Sequence, residues 1–392
     1  MKNFLFYSGL IMLTAACSSH NSVNVTVENG STLDRSGEIV QVSAKSLADR
    51  LGAEYFYVTD ASGNELPSQV TYDGFLIFPA TVAAGETASY TVFPSDTMRV
   101  YPTVTTGRVY PERADDLSWE NDKAGFRAYG PATQRKGERG FGYDIFLKHD
   151  VGRPIIEEII TTHLDPANKV ILDSLKKTDP EKATEFSHSI SYHWDNGLGM
   201  DCYAVGPTLG AGTAALMEND SIFYPWCWDT VEILDNGPLR FTANLTFTPA
   251  TIGSDTAVIE HRLITLDAGS FLNNCKVSYD GLTRPYTIVA GLPLRDEMQP
   301  LMNAQEGWVA YSDPLQREGN GRAQLGVLFP GGTDSVNVAH GHVLGYTVIQ
   351  PADTLEYFYG FSWDKENIPG MEEWGKHLSD RATATPLTVT LK

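Results

Sequence analysis

Hydrophobic and polar residues alternate one by one along most of this chain. The pattern starts at "SVNVTVEN", where Val23, Val25 and Val27 are separated by Asn24 and Thr26. It continues in "GEIVQVS", "EYFYVTDASGNELPSQV" and "GFLIFPATVAAGETASYTVFP". A period of two, broken by Gly, Asn, Asp and Pro turns, predicts antiparallel strands. Residues 18–100 are expected to form a small β unit of four to six strands, with segment 103–116 as a connector. Residues 101–392 repeat the pattern at larger scale, in "KAGFRAYGP", "GYDIFLKHD", "LRFTANLTFTP", "TAVIEHRLITLDAGS", "TLEYFYGFSW" and "PLTVTLK". Helical spacing is scarce. "PGMEEWGKHLSDRA" places Met371, Trp374 and Leu378 on one face and predicts one C-terminal helix. Segment 166–186 reads as one short helix in a polar insertion. The fold class expected is all-β, a large antiparallel sandwich carrying a small N-terminal unit.

The first residues break this pattern. Lys2, an apolar run over 4–12 and small residues before Cys17 read as a signal peptide over 1–17, too short to span a bilayer as a helix. "LTAAC" is similar to a lipobox with its leucine displaced by one, since Thr14 precedes the two alanines. The expectation is lipidation at Cys17 and anchoring to the outer membrane, on the periplasmic face because "SSHNSVNV" carries no acidic cluster. An ordinary secretion signal is the alternative. With 49 acidic and 29 basic residues, net charge −20, the chain lacks the basic face that nucleic acid needs. Beyond Cys17 there are Cys202, Cys227 and Cys275, so at most one bridge is expected, Cys202 with Cys227. No finger spacing points to structural zinc.

Three stretches carry candidate chemistry. In "DDLSWENDKAGFRAYGP", Arg127 and Tyr129 share a strand face, an arginine to hold a carboxylate and a phenol to move a proton. The plainer reading pairs Arg127 with Glu120 or Asp122 at the surface. The basic stretch from Lys123 to Arg153 suits either an anionic substrate or solvated loops. In "HWDNGLGMDCYAVGPTLGAG", residues 193–212, the glycines allow a tight reversal that brings His193 and Asp201 together. Asp201 and Tyr203 would then share a face, with His193 as a base oriented by Asp195 or Asp201. No cofactor is called for; a divalent metal stays open, although no ligand spacing supports one and none is assigned. "YPWCWD" offers Trp226 and Trp228 as a sugar-stacking face or as core.

Together, "ERADDLSWENDKAGFRAYGPA", "FGYDIFLKH", "YHWDNGLGMDCYAVGPTLGAG" and "ILDNGPLRF" resemble a family of saccharolytic Gram-negative lipoproteins, domain of unknown function 4861. "HRLITLDAGSFLNNCKVSY" is also similar to the galactose-mutarotase-like supersandwich. The resemblance implies a place beside hydrolases of unsaturated uronic-acid oligosaccharides, and thus a carbohydrate partner. The polar insertion between His163 and His188, and Trp194 in place of a basic residue, depart from it. For a lyase, His193 or Tyr203 would be the base, Arg127 the carboxylate clamp, Tyr129 the acid and Asp201 the orienting group. A hydrolase would use two carboxylates such as Glu120 and Asp201; an epimerase would pair a histidine with a carboxylate. A non-catalytic binding protein would show a platform of Trp194, Trp226 and Trp228. An enzyme requires His193, Asp201, Arg127 and Tyr129 to converge.

Overall fold

The computed structural model describes residues 21–392. The expected signal peptide over 1–17, with Cys17, lies outside these residues. The N-terminal unit is a pair of small sheets. Val23–Glu28 runs between Thr87–Ser95 and the last strand of the chain, Thr388–Leu391. Val23, Val25 and Val27 all point inward, as their spacing predicts, onto Leu47, Val58, Phe78 and Val92. Val25 lies opposite Leu391, so the end of the chain, read as part of the larger domain, closes the edge of the N-terminal sheet.

The large domain is all-β, a sandwich of antiparallel sheets. Its widest layer has nine strands, with Arg240–Phe247, Asp255–Asp267, Leu272–Asp280 and Thr354–Trp363 adjacent in that order near its middle. A five-stranded sheet containing Ala214–Glu218, Tyr286–Pro293 and His342–Ile349 forms a second layer. One core takes Phe241, Val277, Ile288, Leu325 and Tyr359 from these layers, and Trp119 and Phe126 from a third sheet. The helix Met371–Thr383 lays Trp374 and Leu378 against Trp308 and Leu328, the face its spacing predicts. Inside the core the Arg262 guanidinium pairs with Glu260 and donates to the Tyr143 hydroxyl at 3.0 Å.

Two local expectations change. Three helices follow one another where one was expected: Ile156–Leu164 just before segment 166–186, then Pro166–Thr178 and Pro180–Ile190 across it. Asp165 and Asp179 cap the second and third by accepting from the Ala167 and Lys182 amides, and each is followed by a proline in the first turn. An Asp-Pro pair ends one helix and starts the next. Cys202 and Cys227 are not bridged; all three described cysteines are free and buried. Burial pushes the Cys202 and Cys227 thiols up to about 12 and Cys275 up to about 11, which leaves them unreactive.

Candidate functional site

The third sheet orders its strands Gly199–Met200, Asp144–Lys148, Gly125–Ala128, Asp116–Glu120 and Thr106–Tyr110. Alternation gives it two unlike faces. Leu117, Trp119, Phe126, Ile145 and Leu147 enter the main core. The residues between them, Asp116, Ser118, Glu120, Arg127, Asp144 and Lys148, point the other way and are also buried. The roof over that second face is the helical insertion. Ile155, Ile156 and Ile160 pack on Phe146, Tyr110 and Tyr192. Charged residues placed on a strand's outer face thereby become interior.

Register sets the pairs. Arg127 lies opposite Asp144 on one neighbour and Ser118 on the other. Its side chain is buried, the whole residue being 2% exposed, and it forks between carboxylates. Nη1 donates to Asp201 Oδ2 at 2.8 Å, Nη2 donates to Asp144, and Nε lies 3.8 Å from Asp116. The Tyr129 hydroxyl donates to Asp144 at 2.8 Å. Arg113 closes the cluster from the solvent side, 3.3 Å from Asp116 and 3.9 Å from Asp201, with its Nε donating to the Tyr192 hydroxyl at 2.5 Å. Three carboxylates thus share two guanidinium groups. Burial raises Asp144 to about 6, against the pull of Arg127, and raises Asp116 above the usual carboxylate range. Burial opposes the charge on Arg127 as well, but Asp144 and Asp201 outweigh it and hold its pKa well above the ordinary value.

His193 sits at the exposed edge of this cluster. Its side chain is 44% exposed, and Nδ1 lies 2.9 Å from the Asp201 carbonyl oxygen and 3.7 Å from the Asp201 carboxylate. A neutral imidazole donating from Nδ1 to that carbonyl carries its free lone pair on Nε2. The four side chains required to converge, His193, Asp201, Arg127 and Tyr129, do so. Their exposure differs: Arg127 and Asp201 are buried, Tyr129 is partly exposed and His193 is the most open, and both Arg127 and the Tyr129 hydroxyl already face Asp144.

Other residues named from the sequence go elsewhere. Tyr203 does not share a face with Asp201, because no strand continues past Met200. Its buried ring lies 5.6 Å from the Arg295 guanidinium, beside Asp313, which burial pushes up to about 6. Glu120 is enclosed, paired with Lys148 at 2.5 Å and accepting from the Ile155 and Ile156 amides at the start of the first insertion helix. Asp195 turns away from His193 to pair with His149 at 2.8 Å. Trp228, 6% exposed, belongs to the core, whereas Trp226 is half exposed. A platform of all three tryptophans is therefore ruled out. Trp194 is exposed, stacked on His188 at 3.9 Å with the Arg317 guanidinium 4.5 Å over its ring. The basic stretch is largely neutralised locally, Lys123 by Asp150, Arg135 by Asp115 and Arg153 by Glu158. Among the described residues no group of three or more His, Cys, Asp or Glu converges as metal ligands do. Arg113, Asp116, Asp144, Tyr192 and Arg317 were missed from sequence. Asp144 lies inside "FGYDIFLKH", but its role depends on a strand partner.

Residues 27–389 match the family described as domain of unknown function DUF4861. The chain belongs to that family. A relative from Formosa agariphila, described as "Uncharacterized protein P7", is 23% identical over 414 residues, covering 99% of this chain and 98% of the relative. Among solved structures the chain is similar to an alpha-mannosidase from Enterococcus faecalis V583, with TM-score 0.51 and 8% identity over 95% of this chain. It is similar at TM-score 0.52, again with 8% identity over 95% of the chain, to a protein in glycosyl hydrolase family 38 from Enterococcus faecalis. The chain spans about half the length of those two proteins, 46% and 47%. The likeness establishes the sandwich fold.

Proposed function

We propose that the protein processes glycans that carry uronate groups, by β-elimination at the His193 edge. The observation that carries this reading is the fixed imidazole: Nδ1 is held by the Asp201 carbonyl on a half-exposed side chain, beside guanidinium groups in a chain of net charge −20. Arg113 is partly exposed, and Arg317 donates to the His193 carbonyl oxygen. The likeness in fold to an alpha-mannosidase and to a glycosyl hydrolase family 38 protein supports a glycan substrate by analogy.

In this scheme Arg113 or Arg317 meets the substrate carboxylate and stabilises the charge that develops on it. His193 Nε2 takes the proton from the carbon α to the carboxylate. The electron pair forms a carbon–carbon double bond as the glycosidic oxygen leaves, and the imidazolium returns the proton to that oxygen. Asp201, held by Arg127, positions the imidazole. Tyr129 donates to Asp144 and takes no part in leaving-group protonation. A lipid anchor at Cys17 on the periplasmic face of the outer membrane belongs to the same proposal, on the grounds of the leader sequence.

The test is incubation with a panel of uronate oligosaccharides, following ultraviolet absorbance of the unsaturated product and new reducing ends. His193→Gln should lower the rate by about 100-fold or more, the range for a general base, with an unchanged thermal transition. New reducing ends without the chromophore would replace elimination by hydrolysis. Binding without either product would favour a non-catalytic glycan-binding protein.

A further inference from the structure

A large groove lies away from His193. It measures about 750 Å³ and lies over the outward face of the nine-stranded sheet, between the N-terminal unit and the C-terminal helix. That volume falls within the range of small-ligand sites. Its floor is a row across four adjacent strands, Thr242, Thr265, Asn274 and Phe358, which the register places opposite one another in turn. At strand spacing the row is about 14 Å across. The next row brings Lys276 opposite Glu356. Tyr72 stands at one wall, half exposed, and Arg381 covers Phe358 at 4.8 Å from the other.

The groove is pre-formed because the N-terminal unit is pinned on both sides of it. On one side Gln69 accepts from the Leu239 and Arg240 amides, both at 2.9 Å, and the Tyr72 amide donates to Asp235 at 2.8 Å. On the other side Arg35 donates to the Thr385 carbonyl at 3.0 Å, just before the final strand enters the N-terminal sheet. Between these anchors Thr265 and Asn274 are partly exposed and Lys276 is exposed, while Thr242 is covered, and most side chains on that face are polar, Leu263 and Phe358 excepted.

Charge within the groove is satisfied internally. Arg240 pairs with Asp267, Arg35 with Glu38, and Glu356 accepts from Asn274 at 2.7 Å. Among the described residues, the Lys276 ammonium and the Thr265 hydroxyl make no side-chain hydrogen bond or ion pair and stand available on the floor. Hydroxyl, amide and ammonium groups beside aromatic rings suit a ligand that presents many hydroxyls on a chain of rings. We infer that this groove is a second, non-catalytic glycan site, which seats a linear oligosaccharide through its hydroxyl groups. The choice of a glycan rests on the carbohydrate reading above; the groove itself does not.

The test is calorimetric titration of the full mature chain carrying His193→Gln with cellohexaose, xylohexaose, mannohexaose and a hexagalacturonate. At least one should bind with little dependence on salt. In the same background Thr265→Arg, which fills the floor, should weaken that binding at least ten-fold, and Lys276→Ala by a smaller factor. Lys276 is exposed, so its truncation keeps the test valid if Thr265→Arg fails to fold. Binding equal to the parent in both variants, or no binding by any hexasaccharide, overturns the proposal. Failure of β-elimination leaves the titration unaffected, so the two readings fall separately.

Discussion

Replacing Arg127 by Met tests the architecture of the cluster most directly. The substitution keeps a long, unbranched side chain but removes the donors to Asp144 and Asp201 and the charge near Asp116. Breaking a buried ion pair by removing one partner costs about 3–5 kcal/mol, because the remaining charge stays desolvated. Arg113 still reaches Asp116 and Asp201. Asp144 keeps only the Tyr129 hydroxyl and the Ile145 amide as donors. The penalty should therefore come chiefly from Asp144, at about 4 kcal/mol near pH 8, a large share of ordinary domain stability. Asp144 already has a raised pKa in the folded state, about 6, and loses its main counter-charge in the variant. A carboxyl group with a raised folded-state pKa stabilises the fold fully below its unfolded pKa and loses that contribution as pH rises through the folded value. The variant should thus recover stability as pH falls from 8 to 5, more steeply than the parent. Urea unfolding followed by tryptophan fluorescence at several pH values measures this. A penalty below about 1 kcal/mol, or one that stays constant between pH 8 and 5, would show that Arg127 does not hold these carboxylates.

Two further outcomes follow from the loop that carries His193. Gly199 has φ 133°, and an added Cβ would lie 2.0 Å from the Leu147 carbonyl oxygen, so Gly199→Ala should cost about 1–3 kcal/mol and displace Asp201, read as a lowered thermal transition together with lost turnover. Partial burial opposes protonation of His149, but Asp195 and Glu366 outweigh it and raise its pKa; the resulting stability is present below the unfolded value of about 6.5 and disappears as pH rises through the folded value. His149→Gln should accordingly be less stable than the parent at pH 5.5 and equal to it at pH 9, and a ring titration by NMR below the ordinary histidine value would contradict that linkage.

Alternation was legible because it is local. Val23, Val25 and Val27 enter the core as spaced, and Arg127 and Tyr129 do share a face. What lies across from them was not legible, since pairing is set by register between strands. Asp144 meets Arg127 only because Gly125–Ala128 runs antiparallel to Asp144–Lys148. The same limit hides the last strand, whose alternation in "PLTVTLK" is plain but whose partner lies more than 360 residues away. The insertion helices are a different case. Asp165-Pro166 and Asp179-Pro180 carry a local stop-and-start signal that identifies three helices. The exposure of Arg127 could not be read either, because burial depends on a roof built from residues 155–192.

That roof decides what the arginine can do. A guanidinium group that meets a substrate carboxylate must exchange water for the new partner. Arg127 has no such exchange to make: its two terminal Nη groups already donate to Asp201 and Asp144, and rotation toward solvent would strand both carboxylates under the helices. In the proposed elimination the clamp expected of Arg127 would instead fall to the partly exposed Arg113, or to Arg317 above Trp194. Arg127 instead fixes Asp201, whose carbonyl fixes Nδ1 of His193. A residue in the strand interior thus sets the tautomer at the surface, and loss of Arg127 should lower turnover through the orientation of His193 even where substrate binding is retained.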